Sequence, residues 1–225
     1  MTAQIGTINT NMIHVDVPTI TTENLHYEPF FHIENQNGIS REQNDVLYQH
    51  YLDNATWENE PKLFGKKEYS ILDNVQHARQ LDFPEWNKFV ERSWLEELFD
   101  LYKLNLPNKF DTTIGCIKHG KGTLLIPHTD GPGSSSWRNA EKTFTPKVSG
   151  IITQHIYILD TDQYPDCGME FHYSDFNAEA LEPVKQIKAL PGSYVSYRNT
   201  PNSVHGVPEQ KQDFNRMLVT IKTFW

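Results

Sequence analysis

Apolar residues fall in two rhythms along this chain. Up to about residue 110 the clearest rhythm is helical. Ser40 and Gln43 have capping-box spacing ahead of Val46, Leu47, Tyr51 and Leu52, which predicts a helix ending near Asn54. Pro84, tolerated in a first helical turn, opens a second stretch. There Trp86, Phe89, Val90, Trp94, Leu98, Phe99 and Leu101 recur with a period near 3.6 residues. That helix is expected to lay an aromatic stripe on a sheet. Met12 to Ile20 is β-branched and carries Pro18, so it reads as a strand at a sheet edge.

From residue 111 the pattern becomes short and strand-like. Thr112 to Lys118, Gly122 to Ile126, Ile151 to Leu159, Met169 to Tyr173, Val184 to Leu190, Ser193 to Arg198 and Met217 to Phe224 all read as strands. Gly120, Pro165 and the Pro191-Gly192 pair punctuate them. Many short strands at this spacing argue for a sandwich or barrel-like β core. Gly131 to Gly150, with its Gly-Pro-Gly-Ser-Ser-Ser run, reads as a long exposed loop of the kind that often covers a site. No repeat or low-complexity tract interrupts the chain. Its 225 residues suggest a single domain, with residues 1–110 as supporting strands and helices and 111–225 as the core.

Composition narrows the partners. A formal charge of -9 disfavours a nucleic-acid backbone, whose binding rests on neutralising phosphates. No apolar run is long enough to span a bilayer, and the first ten residues lack the marks of a secretory signal. Two cysteines, Cys116 and Cys167, read as reduced thiols of a cytoplasmic protein.

The candidate chemistry lies in the second half. His128 and Asp130 sit two apart after an apolar run, so in an extended chain both side chains leave the same face. His205 lies far downstream behind a turn-rich segment, and Arg216 opens the last strand. A hairpin from His205 through Pro208 to Arg216 would set the arginine one strand from the histidine. Two imidazoles and one carboxylate can hold a divalent iron on one side and leave the other side open. A histidine two residues before an acid is a common accident, and His14-Val15-Asp16, His26-Tyr27-Glu28 and His32-Ile33-Glu34 also supply it. Of those, His14 lies in the edge-like strand, and His26 and His32 lie in a segment with no following turn-and-arginine partner. On the residues alone, a non-catalytic metal- or ligand-binding barrel, a cupin-type oxygenase and a zinc hydrolase remain open alternatives.

The motifs, taken in order, resemble the iron(II)- and 2-oxoglutarate-dependent oxygenases, and within them the prolyl-hydroxylase-like branch. The resemblance covers Thr112 to Trp225. It rests on His119-Gly120-Lys121-Gly122-Thr123-Leu124-Leu125-Ile126-Pro127-His128-Thr129-Asp130, on Ile156-Tyr157-Ile158-Leu159-Asp160, on Gly168-Met169-Glu170-Phe171, on Pro191-Gly192-Ser193-Tyr194-Val195, and on His205-Gly206-Val207 followed by Arg216. His119, Leu125 and Leu218 depart from the residues usual at their positions. The resemblance implies a mainly β fold with flanking helices: a double-stranded β-helix (jelly-roll, cupin-like) core with N-terminal helices packed on one sheet. It implies Fe(II) held by His128, Asp130 and His205, 2-oxoglutarate anchored by Arg216 with Tyr157 as a second contact, and O2 as oxidant. A carboxylate at Asp130 points to hydroxylation or a related oxidation and away from halogenation. The acceptor is expected to be a small molecule, with a protein or peptide side chain as the alternative. Lys118, Lys121, Arg138, Lys142, Lys147, Trp137 and Phe144 read as surface charge or loop anchors, and His155 and His172 as core residues.

Overall fold

A computed structural model describes residues 13–59, 74–79, 83–130, 150–174 and 180–225. Most of the loop from Gly131 to Gly150, with Trp137, Arg138, Lys142, Phe144 and Lys147, lies outside the described residues. The described chain is mainly β, with twelve strands and two α-helices. The strands are β1 (Leu25–His26), β2 (His32–Asn35), β3 (Thr56–Asn59), β4 (Val75–Arg79), β5 (Asp111–His119), β6 (Leu125–His128), β7 (Ile151–Ile158), β8 (Glu170–Ser174), β9 (Ala180–Gln186), β10 (Tyr194–Arg198), β11 (His205–Val207) and β12 (Arg216–Phe224). The helices are α1 (Arg41–Asn54) and α2 (Arg92–Leu101). No helix among the described residues is long and apolar enough to cross a membrane.

The strands form two antiparallel sheets. The larger runs β1-β2-β10-β7-β12-β5-β4-β3 and the smaller runs β6-β11-β8-β9. β12 pairs along its whole length with β5, from Arg216 opposite His119 to Phe224 opposite Asp111, and lies against β7 on its other side. All eight residues of the central strand β7 are buried, and its polar members Thr153, Gln154 and His155 are hydrogen-bonded to Asn199, Trp94 and Thr220.

Strand alternation divides the large sheet into two faces. Ile152, Ile156 and Ile158 of β7 and Met217, Val219 and Ile221 of β12 belong to one hydrophobic cluster, together with Leu47 and Tyr51 of α1 and Trp94, Leu95, Leu98 and Phe99 of α2. Trp94 donates its indole N–H to Gln154 (3.0 Å), and Asn44 of α1 donates to the Leu159 carbonyl (2.6 Å). The opposite, inner face contributes Tyr157, Val195, Tyr197 and Leu218 to a second cluster, shared with Phe171 and Val207 of the small sheet.

Ser40 caps α1 as its spacing predicts, accepting from the Gln43 amide while Gln43 reaches back to Ser40. Three local expectations fail. Residues 13–20 form no strand, because Pro18 lacks an N–H and, among the described residues, the only backbone–backbone bond there that joins other elements is from Val15 to Glu85. The second helix is broken into a 3-10 turn (Pro84–Phe89) and α2, because Glu91 is extended and restarts the chain as an N-cap. The tight turn still buries Trp86 and Phe89 three residues apart. Finally, β11 and β12 are no hairpin. They lie in different sheets, and the connection between them is mostly half-buried or exposed, with Gln210 bonded to Gly122 and Thr123 on the way.

The interior holds neutral histidines. Burial drives the pKa of His32 down to about 4 and that of His155 to about 3, and it puts His119 well below its ordinary range. The unfolded chain therefore takes up protons near pH 6.5 that the folded chain refuses, so folding stability is lost as pH falls below that value. In chelator, urea-unfolding free energies are expected to be flat above pH 7 and to fall towards pH 5 by up to about 1.4 kcal/mol per pH unit for each of these histidines. A flat profile across that window would contradict their neutral burial.

Candidate metal centre

Three side chains from two neighbouring strands and the turn beyond them converge at the edge of the small sheet. β6 and β11 pair antiparallel, and His128 stands directly opposite His205. Residues on opposite strands at one register point to the same face, and the two imidazole centroids are 4.5 Å apart. Asp130 follows β6 by two residues and joins them. Its Oδ1 lies 3.7 Å from His128 Nε2, and its Oδ2 lies 4.0 Å from His205 Nε2. One ligand atom from each of the three lies within 4.8 Å of the other two. Gly206 allows the approach, since a β-carbon there would sit 3.0 Å from the Leu125 carbonyl.

The imidazoles are held in the same way. His128 Nδ1 lies 2.9 Å from the Ile126 carbonyl and His205 Nδ1 lies 2.9 Å from the Ser203 carbonyl, each two residues back. A carbonyl only accepts, so each Nδ1 carries the proton and each Nε2 offers its lone pair to the space beside Asp130. Burial pushes the Asp130 pKa up, but the Lys222 ammonium, joined by His205 and His128 whenever they are protonated, outweighs it and holds the carboxyl well below the usual range. Asp130 is therefore an anion. Two neutral imidazoles and one carboxylate that converge in this way suit a divalent ion with free positions on its other side.

Arg216 lies on the inner face of β12 and is 1% exposed. It donates to the Cys167 carbonyl and to His119 Nδ1. A guanidinium only donates, so His119 is the acceptor and carries its proton on Nε2. Arg216 Nε has no partner among the described residues, and no carboxylate pairs with the group there. Burial lowers its pKa, with Tyr157 and Cys167 acting in the other direction. Tyr157 is its diagonal neighbour across the β7–β12 ladder. The Tyr157 hydroxyl accepts from the Met169 amide (3.0 Å), which leaves its own O–H to donate. Gly168 makes that turn possible, because a β-carbon there would overlap the Ile187 carbonyl at 1.8 Å.

No family model matches the sequence, and no curated protein matches it. Solved structures do. HygX from Streptomyces hygroscopicus, with nickel and 2-oxoglutarate bound, aligns over 92% of this chain and 87% of its own at 12% identity, with a TM-score of 0.58. The viral collagen prolyl hydroxylase vCPH from Paramecium Bursaria Chlorella virus-1, in its 2-oxoglutarate complex, aligns over 86% and 95% at 13% identity and a TM-score of 0.56. A Trichoplax adhaerens prolyl hydroxylase, in complex with a peptide fragment of the hypoxia inducible factor oxygen degradation domain, aligns over 90% and 84% at 17% identity and a TM-score of 0.52. The chain shares the fold of these proteins.

The other histidine–acid pairs stand apart from the cluster. His14 is exposed, and its neighbour Asp16 pairs with Lys88. Glu28 accepts from the Tyr173 hydroxyl (2.6 Å), and Glu34 is held by Lys185 (2.8 Å). Lys118 lies over the Trp57 ring and, with Lys121, lines a polar groove rather than the cluster.

Four inner-face residues were not singled out as site residues by motif. Tyr197 OH lies 3.2 Å from both His205 Nε2 and His155 Nε2, and His155 Nδ1 lies 3.0 Å from Thr220 Oγ1. His155 is buried, as a core residue would be, and is linked to His205 through the Tyr197 hydroxyl. Lys222 Nζ lies 2.6 Å from Asp130 Oδ2. The signal available was parity: Arg216, Leu218, Thr220 and Lys222 share a face, as do His155 with Tyr157 and Val195 with Tyr197.

Asp130→Ala is expected to weaken Mn(II) binding by more than about a hundredfold, since even outer partners of metal ligands are worth 10–100-fold. His14→Ala should leave that affinity unchanged. Both are read by anaerobic titration, and the reverse ranking would move the site to the N-terminal pair.

Proposed function

We propose that the chain is an Fe(II)- and 2-oxoglutarate-dependent oxygenase that hydroxylates, or otherwise oxidises, a C–H bond of a small molecule. The observation that carries this reading is the buried Arg216, a permanent cation with no acid beside it among the described residues, on the inner face of the same strand whose Lys222 reaches the three-ligand cluster. An isolated buried charge is costly unless it is paired, so the site is built to receive an anion. A zinc hydrolase or a cupin-type oxygenase that works without a diacid would have no use for it.

His128, Asp130 and His205 would hold the iron, and Arg216 with the Tyr157 hydroxyl would receive the far carboxylate of 2-oxoglutarate. When bound, iron, 2-oxoglutarate and O2 together supply the oxidising chemistry, with release of succinate and CO2. The protein's part is placement. The carbonyls of Ile126 and Ser203 fix the imidazoles, and the guanidinium fixes one end of the diacid. Phe171, Val195, Leu218 and Tyr197 keep the space between the sheets apolar and shield it from water.

In the same reading the two sheets are the halves of a double-stranded β-helix, with α1 and α2 backing the larger one. Residues 1–110 act as support, and 111–225 form the catalytic core of a single domain in a cytoplasmic protein. The small-molecule preference rests on the acidic balance of the chain and on fold neighbours: HygX is also known with hygromycin B bound, and SnoN is an epimerase from nogalamycin biosynthesis.

Conversion of 2-oxoglutarate to succinate that requires both Fe(II) and O2 is the direct test. Arg216→Ala is expected to raise the apparent KM for 2-oxoglutarate by about tenfold or more, the equivalent of about 1.4 kcal/mol. An unchanged KM would place the diacid elsewhere.

A further inference from the structure

Lys222 shares the inner face of β12 with Arg216, Leu218 and Thr220, and its side chain reaches Asp130 beyond β6 of the small sheet. Its Nζ is 2.6 Å from Oδ2 of Asp130, while Oδ1 of the same carboxylate is 3.7 Å from His128 Nε2. The ammonium therefore engages Oδ2, the oxygen on the His205 side, and leaves Oδ1 towards His128. Its side chain is 23% exposed, and Thr153 of β7 and Thr113 of β5 flank it in the sheet. No Asp or Glu other than Asp130 pairs with it among the described residues.

We propose that Lys222 is a positioning residue that restricts Asp130 to a single bond with the metal, an inference that rests on the metal centre proposed above. An unrestrained carboxylate can chelate through both oxygens. Two histidines and a chelating carboxylate would leave an octahedral ion too few positions for a chelating 2-oxo acid and dioxygen together. An ammonium on Oδ2 keeps that further position free. The same ammonium repels the ion it helps to place, because like charges this close interact strongly in a partly buried site. Lys222 thus weakens metal binding while it preserves the open positions. A side chain that served packing alone would not produce that combination.

The test is a pair of anaerobic titrations on the full chain: Mn(II) followed by the EPR signal of the free ion, then nitric oxide, as a stand-in for dioxygen, added to protein loaded with Fe(II) and 2-oxoglutarate and followed by the EPR signal of the adduct. K222M is expected to bind Mn(II) about threefold more tightly or better, yet to need about fivefold more nitric oxide or above, and K222R should restore both values. Mn(II) affinity that is unchanged or weaker in K222M, or undiminished nitric oxide affinity, overturns the inference. If K222M does not fold, K222Q replaces it; it lacks the charge and is expected to tighten Mn(II) binding, and no tightening overturns the inference equally. Failure of the unmodified chain to bind Mn(II) removes the metal centre itself. Normal binding by that chain with indistinguishable variants removes only the role of Lys222.

Discussion

Two permanent charges, Asp130 and Arg216, are buried between the sheets, and they do not compensate each other. An ion moved out of water is tolerated only where opposite charge and hydrogen bonds replace its hydration. Asp130 has Lys222 and two imidazoles around it, whereas among the described residues Arg216 has only a carbonyl, a neutral histidine and the neighbouring Tyr157 and Cys167. The interior is thus electrostatically complete at one end and incomplete at the other. A diacid that reaches from a metal at Asp130 to the guanidinium would complete it.

The sheets make this asymmetry possible. β12 carries both cations on its inner face, at its first residue and at its seventh, and pairs with β5 and β7 along its length. Its other face, through Met217, Val219 and Ile221, belongs to the cluster that includes both helices. A strand anchored so fully is a rigid ruler between the two charges. The metal-ligand end is a much smaller structure, a three-residue strand against a four-residue one, with a glycine at the closest approach. Placement of the histidines there depends on the His128–His205 register and on two carbonyls, so a slip of one residue would turn one imidazole to the opposite face.

Much of this was legible in the residues because strand periodicity is simple. His128 and Asp130 lie two apart in an extended segment, and that spacing alone put both on one face. The capping box at Ser40 and Gln43 was equally local, and α1 starts where it indicates. The β core followed from many short runs separated by turn residues. What was not legible depended on contacts between distant segments. Arg216 was expected one strand from His205 by hairpin, yet the connection crosses from the small sheet to the large one. Lys222 carries no motif, and only folding brings it against Asp130 from the other sheet. The apolar period from Trp86 to Leu101 survived the break at Glu91 because a 3-10 turn also returns every third residue to one side, so periodicity concealed a change of helix type.

The account stands on one spatial claim: an ion at His128, Asp130 and His205 and a diacid on Arg216 occupy a single continuous site. A crystal structure of the protein grown anaerobically with Mn(II) and 2-oxoglutarate tests it most directly. The account predicts density for the ion between the two Nε2 atoms and one oxygen of Asp130, with the 2-oxo acid end of the ligand on the ion and its other carboxylate on Arg216. An ion bound elsewhere, or a diacid that leaves Arg216 unpaired, would contradict it.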